Sequence, residues 1–385
     1  MPWKEVSSMD ERSRFIKEAL RGEVAFSNLC RAYEVSRKTG YKWLSRYEES
    51  GKQGLLDASR APKNSPQKVS IETRSLLIES RKLHPYWGPV KIVHWLKQKN
   101  PKILLPCSST IGEIFKAEGL IEEHRVPLRS PKTKPPEVIA SSPNSVWATD
   151  FKGEFRMKNK KLCYPLTITD QRSRFILCCQ GYDGINYQSV MRSFERVFLE
   201  YGLPEIILSD NGVPFSSPSG LSKLSVWWIK LGIRPLRIQP GKPQQNGKHE
   251  RMHRTLKQET TRPPGKNMEE QQKRFNHFVR EYNFERPHEA LNNKTPSKLY
   301  KPSPRSLPKK LLEMSYPGHY EIRSVGQNGE IKWIGEKTFI SKALAYEKIA
   351  LEEIDDGLHL VHFGTLQLGY INQRTKSFER TLKKY

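Results

Sequence analysis

The sequence predicts a multidomain protein with an all-α N-terminal part, an α/β core and a small all-β barrel at its C-terminal end. Three observations indicate this order. Apolar residues recur at helical spacing up to about residue 124, strand and helix patterns alternate over about 146–300, and short strands separated by Gly, Asp and Asn turns fill about 305–385. A chain of 385 residues is also too long for one compact domain.

The charge of the chain indicates a polyanionic partner. Lys and Arg total 66 against 41 Asp and Glu, which gives a formal charge of +25. Nucleic acid is favoured because each phosphate that a cation neutralises releases condensed counterions. The alternative is a generic basic surface of the kind found on ribosomal or chaperone-like proteins. No apolar run reaches the roughly 18–20 residues that a membrane span requires, the polar N-terminus is no signal peptide, and the five cysteines show no CxxC pairing for zinc. We therefore expect a cytoplasmic protein.

Residues 1–60 have the pattern of a helix-turn-helix module. A first helix is expected to stop at Gly22, a short second helix and the turn EVS follow, and Ser36 can cap a third helix, RKTGYKWLSRY. Trp43 is expected to face inward on this third helix. The outward-facing side chains are the predicted DNA contacts, namely Arg37, Lys38, Tyr41 and Lys42. Any small three-helix bundle gives the same pattern, and this remains the alternative.

A second helix-turn-helix-like module spans about 66–124, with weaker basic character. Its helices are predicted at Ile71–Leu83, Pro89–Lys99 and Ser109–Glu118. DNA binding and packing against the first module are both open for it. Residues 125–145 follow as a linker rich in Pro, Ser and positive charge.

Three carboxylates of the α/β region stand where catalytic acids are expected. Asp150 ends the first strand, Asp210 ends the fourth, and Glu250 lies on a helix soon after the fifth. Strand ends border the functional crevice of an open α/β sheet, so the three can converge. Such a cluster repels itself unless cations bind, and two Mg²⁺ ions about 3.5–4 Å apart would satisfy it and support phosphodiester chemistry. A single Asp at a strand end is more often a turn residue, and Asp170 is interpreted in that way.

The helix that carries Glu250 reads KHERMHRTLKQE and collects positive charge around this one acid. Helical spacing places Met252 and Leu256 on the face opposite Glu250, where they can anchor the helix. The polar side chains around Glu250 are expected to bind DNA phosphates, and all but the first share its face: Lys248, His253, Arg254 and Lys257. The alternative is a solvated amphipathic helix with ordinary ion pairs, such as Glu250 with Arg254.

These motifs in combination resemble the DDE-type transposases of bacterial insertion sequences, which have a retroviral-integrase-like core, and specifically the group numbered 481. The resembling segments are WATDF around Asp150, LSDNGVPF around Asp210 and RIQPGKPQQNGKHERMHRTLKQE around Glu250. The segments MPWKE, SRKTGYKWLSRY, LSVWWIKLGI, GEIKWIG and LHLVHFG also resemble that group. The likeness therefore extends over nearly the whole chain.

The resemblance implies an RNase H-like core in which Asp150, Asp210 and Glu250 are the catalytic acids and bind two Mg²⁺ ions, with Mn²⁺ as a substitute. It implies that Lys257, seven residues after Glu250, contacts DNA near the cut end. The implied chemistry is hydrolytic nicking at transposon ends, followed by attack of the freed 3′-OH on target DNA. Two features depart from retroviral integrases. The 39 residues between Asp210 and Glu250 are a few more than theirs, and the N-terminus has no His/His/Cys/Cys zinc module.

The main hypothesis is a Mg²⁺-dependent transposase that reads terminal inverted repeats with its N-terminal modules and cuts and joins double-stranded DNA in its core. A dimer or tetramer on DNA, associated with a bacterial nucleoid, is expected, and the C-terminal domain would bind DNA non-specifically or support assembly. One alternative is a host-adopted DNA-binding protein that has lost catalysis. The other is an RNase H-like nuclease that cuts without joining, which the sequence does not separate from the main hypothesis because the same metals serve both reactions.

Overall fold

A computed structural model of the chain describes residues 8–57, 69–121, 139–217, 220–239, 243–311 and 313–380. The chain divides into two units, Met1–Val69 and Ser70–Tyr385. The MPWKE segment and most of the predicted linker lie outside the described residues. No helix in the described ranges is long and apolar enough to cross a membrane.

The first unit consists of three helices, α1 (Ser8–Arg21), α2 (Phe26–Ala32) and α3 (Arg37–Ser50). Gly22 follows α1 with a left-handed φ of 69°. The Ser36 hydroxyl accepts a hydrogen bond from the backbone N–H of Thr39, the third residue of α3, at 3.1 Å. Both predicted helix signals are therefore confirmed, because glycine adopts the left-handed end conformation freely and serine satisfies an unpaired N–H.

Helix α3 presents one buried and one basic face. Trp43 is buried in the small core of the unit, where the Arg12 guanidinium lies 4.0 Å from the centre of its ring. The four predicted DNA contacts of α3 are all exposed: Arg37, Lys38, Tyr41 and Lys42. This arrangement matches the face that the sequence assigned to DNA.

The second unit begins with α4 (Ile71–Leu83), α5 (Pro89–Lys99) and α6 (Ser108–Ala117). The first two helices begin and end at the predicted residues. Helix α6 begins one residue early because Cys107, rather than a serine, occupies its N-cap position.

A mixed sheet forms the centre of the second unit. Its strands are β1 (Val146–Phe151), β2 (Phe155–Arg156), β3 (Leu162–Asp170), β4 (Ile176–Tyr182), β5 (Ile206–Ser209) and β6 (Arg234–Arg237). The order is β4-β3-β1-β5-β6, and the short β2 pairs with the start of β3. Strand β3 is antiparallel to both β1 and β4, whereas β1, β5 and β6 are parallel. This order and polarity are those of an RNase H-like core.

Helices cover both faces of this sheet, namely α7 (Tyr187–Tyr201), α8 (Lys223–Lys230), α9 (Gly247–Thr260) and α10 (Met268–Arg280). Side chains alternate along β3, so Leu166 and Ile168 pack with α7 and α8. Cys163 packs on the opposite face with α9 and α10. The alternation also turns Thr167 and Thr169 toward α9.

The second helical module packs against the core. His84, which follows α4, has its Nδ1 3.2 Å from a carboxylate oxygen of Glu281, directly after α10. The Arg286 guanidinium lies 5.8 Å from the ring centre of Trp87. The sequence had offered packing against the first module as one possibility, and it did not indicate this contact with the core.

Seven strands follow in the C-terminal part: β7 (Glu321–Ser324), β8 (Glu330–Trp333), β9 (Glu336–Phe339), β10 (Lys348–Asp355), β11 (Leu358–Phe363), β12 (Leu366–Asn372) and β13 (Phe378–Arg380). Five of them form an antiparallel sheet in the order β13-β12-β11-β10-β7, and β8 and β9 form a separate hairpin. The all-β prediction is confirmed, but the described strands do not close into a barrel. The short edge strands β7 and β13 do not pair, and apolar packing against the hairpin and α8 covers the sheet instead.

Helix α8 has apolar side chains on two faces. Trp227 and Trp228 belong to the core of the mixed sheet, and Val226 and Ile229 belong to the core of the C-terminal strands. A helix that is hydrophobic all round must be buried on all sides, which explains the dense apolar pattern of LSVWWIKLGI.

We predict that Gly40→Ala destabilises the first unit. A Cβ at Gly40 would lie 2.8 Å from the Sγ of Cys30 and 3.0 Å from the rings of Phe15 and Phe26, so α3 would have to move. Overpacking of this kind costs about 1–3 kcal/mol. Thermal unfolding of the full chain, followed by circular dichroism, measures the effect.

Gly112→Ala in α6 is the matched control. Its Cβ would have its nearest neighbour at 3.8 Å, so the change should be neutral or stabilise the helix by up to about 1 kcal/mol. Equal unfolding temperatures for the two variants would contradict the packing described for α3.

Candidate active site

The three predicted acids come from three different elements of the core. Asp150 is the penultimate residue of β1, and its side chain is 22% exposed. Asp210 directly follows β5 and is half-buried, and Glu250 is exposed in the first turn of α9. Because β1 and β5 are parallel neighbours with Ala148 opposite Leu208, Asp150 and Asp210 stand at adjacent strand ends.

The charges of Asp210 and Glu250 affect the pKa of Asp150. Burial, the charge of Asp210 and, more weakly, that of Glu250 raise the pKa of Asp150 to about 7, although a hydrogen bond from the Phe151 backbone and the charge of Lys152 oppose the rise. Burial also raises the pKa of Asp210, although the Gly212 N–H donates to its Oδ1 at 3.1 Å. These carboxylates are therefore costly to ionise together, as expected where a cation normally binds.

The chemistry of the donors fits a hard divalent cation, because Mg²⁺ and Mn²⁺ prefer carboxylate oxygens. The arrangement of these carboxylates meets only part of what a divalent-cation site requires. Within the described ranges, no three His, Cys, Asp or Glu side chains are close enough to form a metal-binding group. Asp150 and Asp210 provide an adjacent pair, and the exposed Glu250 is near enough for its charge to act on Asp150.

His253 does not lie on the face of Glu250, contrary to the prediction. It is buried under α9, and its Nε2 lies 2.7 Å from the Oγ1 of Thr167. His249 is also buried, with Nε2 2.8 Å from the same hydroxyl and Nδ1 2.7 Å from the Oγ1 of Thr169. The reason is that positions 249, 253, 256 and 260 form one helical stripe, so both histidines continue the apolar face of Met252 and Leu256.

This histidine–threonine seam, which consists of His249, His253, Thr167 and Thr169, has a defined direction of hydrogen bonding. The Thr167 hydroxyl donates its single proton to the backbone oxygen of Asp150 at 3.1 Å. Both imidazole Nε2 atoms must then donate to Thr167, which leaves each Nδ1 as an acceptor and requires Thr169 to donate to His249. In this arrangement the polar atoms of the seam are hydrogen-bonded, apart from the Nδ1 of His253.

The imidazole of His253 gives Asp150 no positive partner. Its Nδ1 lies 3.8 Å from the Oδ2 of Asp150, a distance at which an ion pair would lower the pKa of the acid and raise that of the base. Instead, the pKa of Asp150 is raised, and burial together with the charge of His249 lowers the pKa of His253 to about 2. The pair is therefore not ionic, and the Asp150 carboxylate stays available for a metal.

The exposed face of α9 carries the remaining predicted contacts. Arg254 and Lys257 are exposed one and two turns after Glu250 and lie on the same side, as predicted. Arg251 is also exposed there, and the sequence analysis did not single it out. Lys248 is half-buried, with its Nζ donating to the Gln171 carbonyl at 3.3 Å.

The predictions from the sequence do not include the seam, although the sequence contains a signal for it. Two threonines occupy alternate positions of TITD in β3, and two histidines occupy one turn of α9. A polar pair at strand spacing and a polar pair at helical spacing, each within an otherwise buried face, indicate a buried hydrogen-bonded contact.

We predict that Asp150→Asn stabilises the metal-free protein at alkaline pH. The unfolded carboxyl titrates near pH 4 and the folded one near 7, so the wild type loses stability as pH rises through this window and the variant does not. In EDTA at pH 8 the unfolding temperature of the variant should be higher by roughly 2–4 °C or more, and the difference should vanish near pH 4. An equal difference at both pH values would show that ionisation of Asp150 does not destabilise the folded protein.

Comparison with known families agrees with the strand order. A family model described as an integrase core domain matches residues 140–243, and a second model of the same description matches residues 231–296. A helix-turn-helix domain model matches residues 11–63, and a homeodomain-like domain model matches residues 39–115. The integrase-core matches include all three candidate acids.

Two relatives are proteins of bacterial insertion elements. The chain is 26% identical over 192 residues to the insertion element IS476 uncharacterized 39.2 kDa protein of Xanthomonas euvesicatoria, covering 49% of this chain and 53% of the relative. It is 27% identical over 168 residues to the insertion element IS407 uncharacterized 31.7 kDa protein of Burkholderia multivorans, covering 42% of this chain and 57% of the relative. The matches therefore span a little over half the length of these relatives.

Solved structures of similar chains include retroviral integrases. The HTLV-2 integrase catalytic core domain in complex with magnesium is 15% identical, with 42% of this chain and all of that chain covered and a TM-score of 0.33. The simian T-cell lymphotropic virus intasome in complex with the PP2A regulatory subunit B56 gamma is 15% identical, with 79% and 98% covered and a TM-score of 0.38. Because both TM-scores are low, support for the fold comes from the strand order and from the matching family models instead. The chain therefore contains an integrase-like core and helix-turn-helix domains, and it is similar to proteins of bacterial insertion elements.

Proposed function

We propose that the chain is a DDE transposase that binds the terminal inverted repeats of its element, nicks DNA at the ends and joins the freed 3′-OH to target DNA. The observation that carries this proposal is the pair of carboxylates at the adjacent ends of β1 and β5, Asp150 and Asp210, together with Glu250 on α9, whose charge also acts on Asp150. Phosphodiester chemistry with divalent metals requires such a set of oxygen ligands at the edge of the core.

Asp150, Asp210 and Glu250 would hold two divalent cations, Mg²⁺ or Mn²⁺. Bound there, the cations would neutralise charge at the scissile phosphate and activate the attacking oxygen. The neutral His253 does not form an ion pair with the Asp150 carboxylate. The seam between β3 and α9 supports this role, because it fixes the rotation of the helix with Glu250 on the exposed side.

Cations on the protein would position the DNA strand. Arg254 and Lys257 follow Glu250 by four and seven residues on the exposed face of α9, which is about 6 and 10 Å along the helix axis. They would contact backbone phosphates on either side of the reacting one and hold it in place. The exposed basic face of α3 would enter the major groove and read the terminal repeat. Assembly as a dimer or tetramer would bring two ends together.

A labelled duplex with the element's end, paired with unlabelled ends and target DNA in Mg²⁺, tests the catalytic proposal. Wild-type protein should nick the end and join it to target, and Glu250→Gln should lose both activities. The loss should exceed the roughly 10–100-fold that follows removal of a residue that only supports a ligand. Because Glu250 is exposed, the isosteric change should leave folding intact.

Glu154→Gln, another exposed acid of the core, is the matched control and should keep full activity. Nicking without joining when paired ends are present would favour the nuclease alternative. Specific binding without nicking, in Mg²⁺ or Mn²⁺, would favour a DNA-binding protein that has lost catalysis.

We predict that Lys42→Ala weakens binding to terminal-repeat DNA. The side chain is exposed on α3, so its loss removes a phosphate or base contact and leaves the core of the first unit unchanged. Fluorescence anisotropy should show a lower affinity and a salt dependence reduced by about one contact. Lys17→Ala, exposed on α1, is the control, and equal affinities for the two variants would assign recognition to another surface.

We predict that Lys257→Ala impairs joining and end binding more than folding. Lys257 is exposed two turns after Glu250, so its truncation opens no cavity. Joined product should fall more than the unfolding temperature, and Lys266→Ala, also exposed, should leave both unchanged. An unfolded Lys257→Ala variant would identify the residue as structural.

A further inference from the structure

A basic pocket lies at the side of the core, near the start of α9. We use this name for the cavity of about 440 Å³ between the turn that joins β3 to β4, the first turn of α9 and residues 290–299. Four cations line it, namely Arg172, Arg174, Lys248 and Lys294. Its other lining residues are Ser, Pro, Ala, Leu and Asn, so no acid of the described chain lines it.

Three of the four cations in this pocket have no direct side-chain partner in the described part of the chain. In the described ranges, the side chains of Arg172, Arg174 and Lys294 make no hydrogen bond or salt bridge. The nearby Asp170 is fully buried, and its carboxylate accepts hydrogen bonds from the Asn144 N–H at 2.8 Å and the Ser173 N–H at 2.7 Å. Its oxygens therefore anchor the turn and form no ion pair with the arginines, although its charge still favours the charged forms of Arg174 and Lys248.

The turn holds the two arginines in a defined place. Asp170 also accepts from the Ser173 hydroxyl at 2.6 Å, and Arg174 has a left-handed φ of 67°. Asn292, across the pocket, has φ 53°. Residues with side chains seldom adopt this conformation, and such positions persist where the surrounding structure requires them. The cations thus sit on a rigid frame rather than on a long loop.

We propose that the basic pocket binds a backbone phosphate of DNA, outside the scissile position. Guanidinium groups match phosphate oxygens in pairs, and a cavity of this size accommodates a sugar–phosphate segment. Lys248 of the pocket precedes Glu250 by two residues on α9, and the exposed Arg251 directly follows Glu250. The pocket and the candidate acids therefore share α9, and one DNA molecule would contact both. This inference rests on the proposed function, since it takes DNA as the substrate.

The binding would be independent of base sequence, because only the phosphate is contacted. The double variant Arg172→Ala/Lys294→Ala tests it. Both side chains are exposed and lack protein partners in the described ranges, so the change should not unfold the chain. We measure the affinity of the full chain for specific and unrelated duplexes by anisotropy, over a salt series in EDTA.

The expected result is weaker binding to both duplexes and a salt slope that is flatter by about 1–2, the value for one or two phosphate contacts. Lys158→Ala/Lys161→Ala, which removes two exposed charges outside the pocket, should retain the wild-type slope. Equal slopes for the two double variants would overturn the inference.

Two further arms separate the sources of failure. Inorganic phosphate is added in thermal unfolding; stabilisation that the pocket variant loses, with unchanged DNA affinity, would assign the pocket to a free anion and overturn the DNA assignment. Absence of DNA binding by the wild type would remove the proposed function itself. Loss of cleavage with an intact effect of the pocket on binding would contradict the catalytic proposal alone.

Discussion

The buried hydrogen-bonded contact between β3 and α9 is the constraint on which the rest of the core depends. Two threonines and two histidines satisfy one another inside an otherwise apolar face, and a buried polar group left unpaired costs about 1–3 kcal/mol. Rotation of α9 by one residue would leave the seam unsatisfied. The seam therefore decides that Glu250, Arg254 and Lys257 face outward and that Lys248 reaches the basic pocket. The same four side chains therefore stabilise the contact between β3 and α9 and orient the residues of the candidate site.

The acids beside this seam stand in an environment that opposes their charge. Burial and mutual repulsion raise the pKa of Asp150 to about 7, and the neutral His253 next to it offers no relief. A protein selected for stability alone would not keep two carboxylates at adjacent strand ends. Their persistence in one place is the physical basis of the proposed metal site, because a divalent cation would turn the repulsion into attraction. The basic pocket is the converse case, with cations held together and no acid among its described lining residues.

The core also organises the parts of the chain around it. Helix α8 contributes Trp227 and Trp228 to the mixed sheet and Val226 and Ile229 to the C-terminal strands, so one short helix belongs to two apolar cores. On the other side, His84 meets Glu281 just after α10. A helical module and a β domain are thus attached to the helices that flank the candidate site.

The sequence by itself determined the elements and the residue types of the candidate site. Helix ends at Gly22 and Ser36, the bounds of α4 and α5, the alternation of strands and helices, and acids at the ends of β1 and β5 all follow from local signals, namely caps, periodicity and turn residues. Only the tertiary structure decided which side of each element faces a partner. His253 is buried because its Nε2 bonds to Thr167 on β3. The C-terminal sheet is not a closed barrel, and α8 packs against it. The second helical module contacts the core through His84 and Glu281. These outcomes depend on contacts between residues far apart in the chain, which no local pattern records.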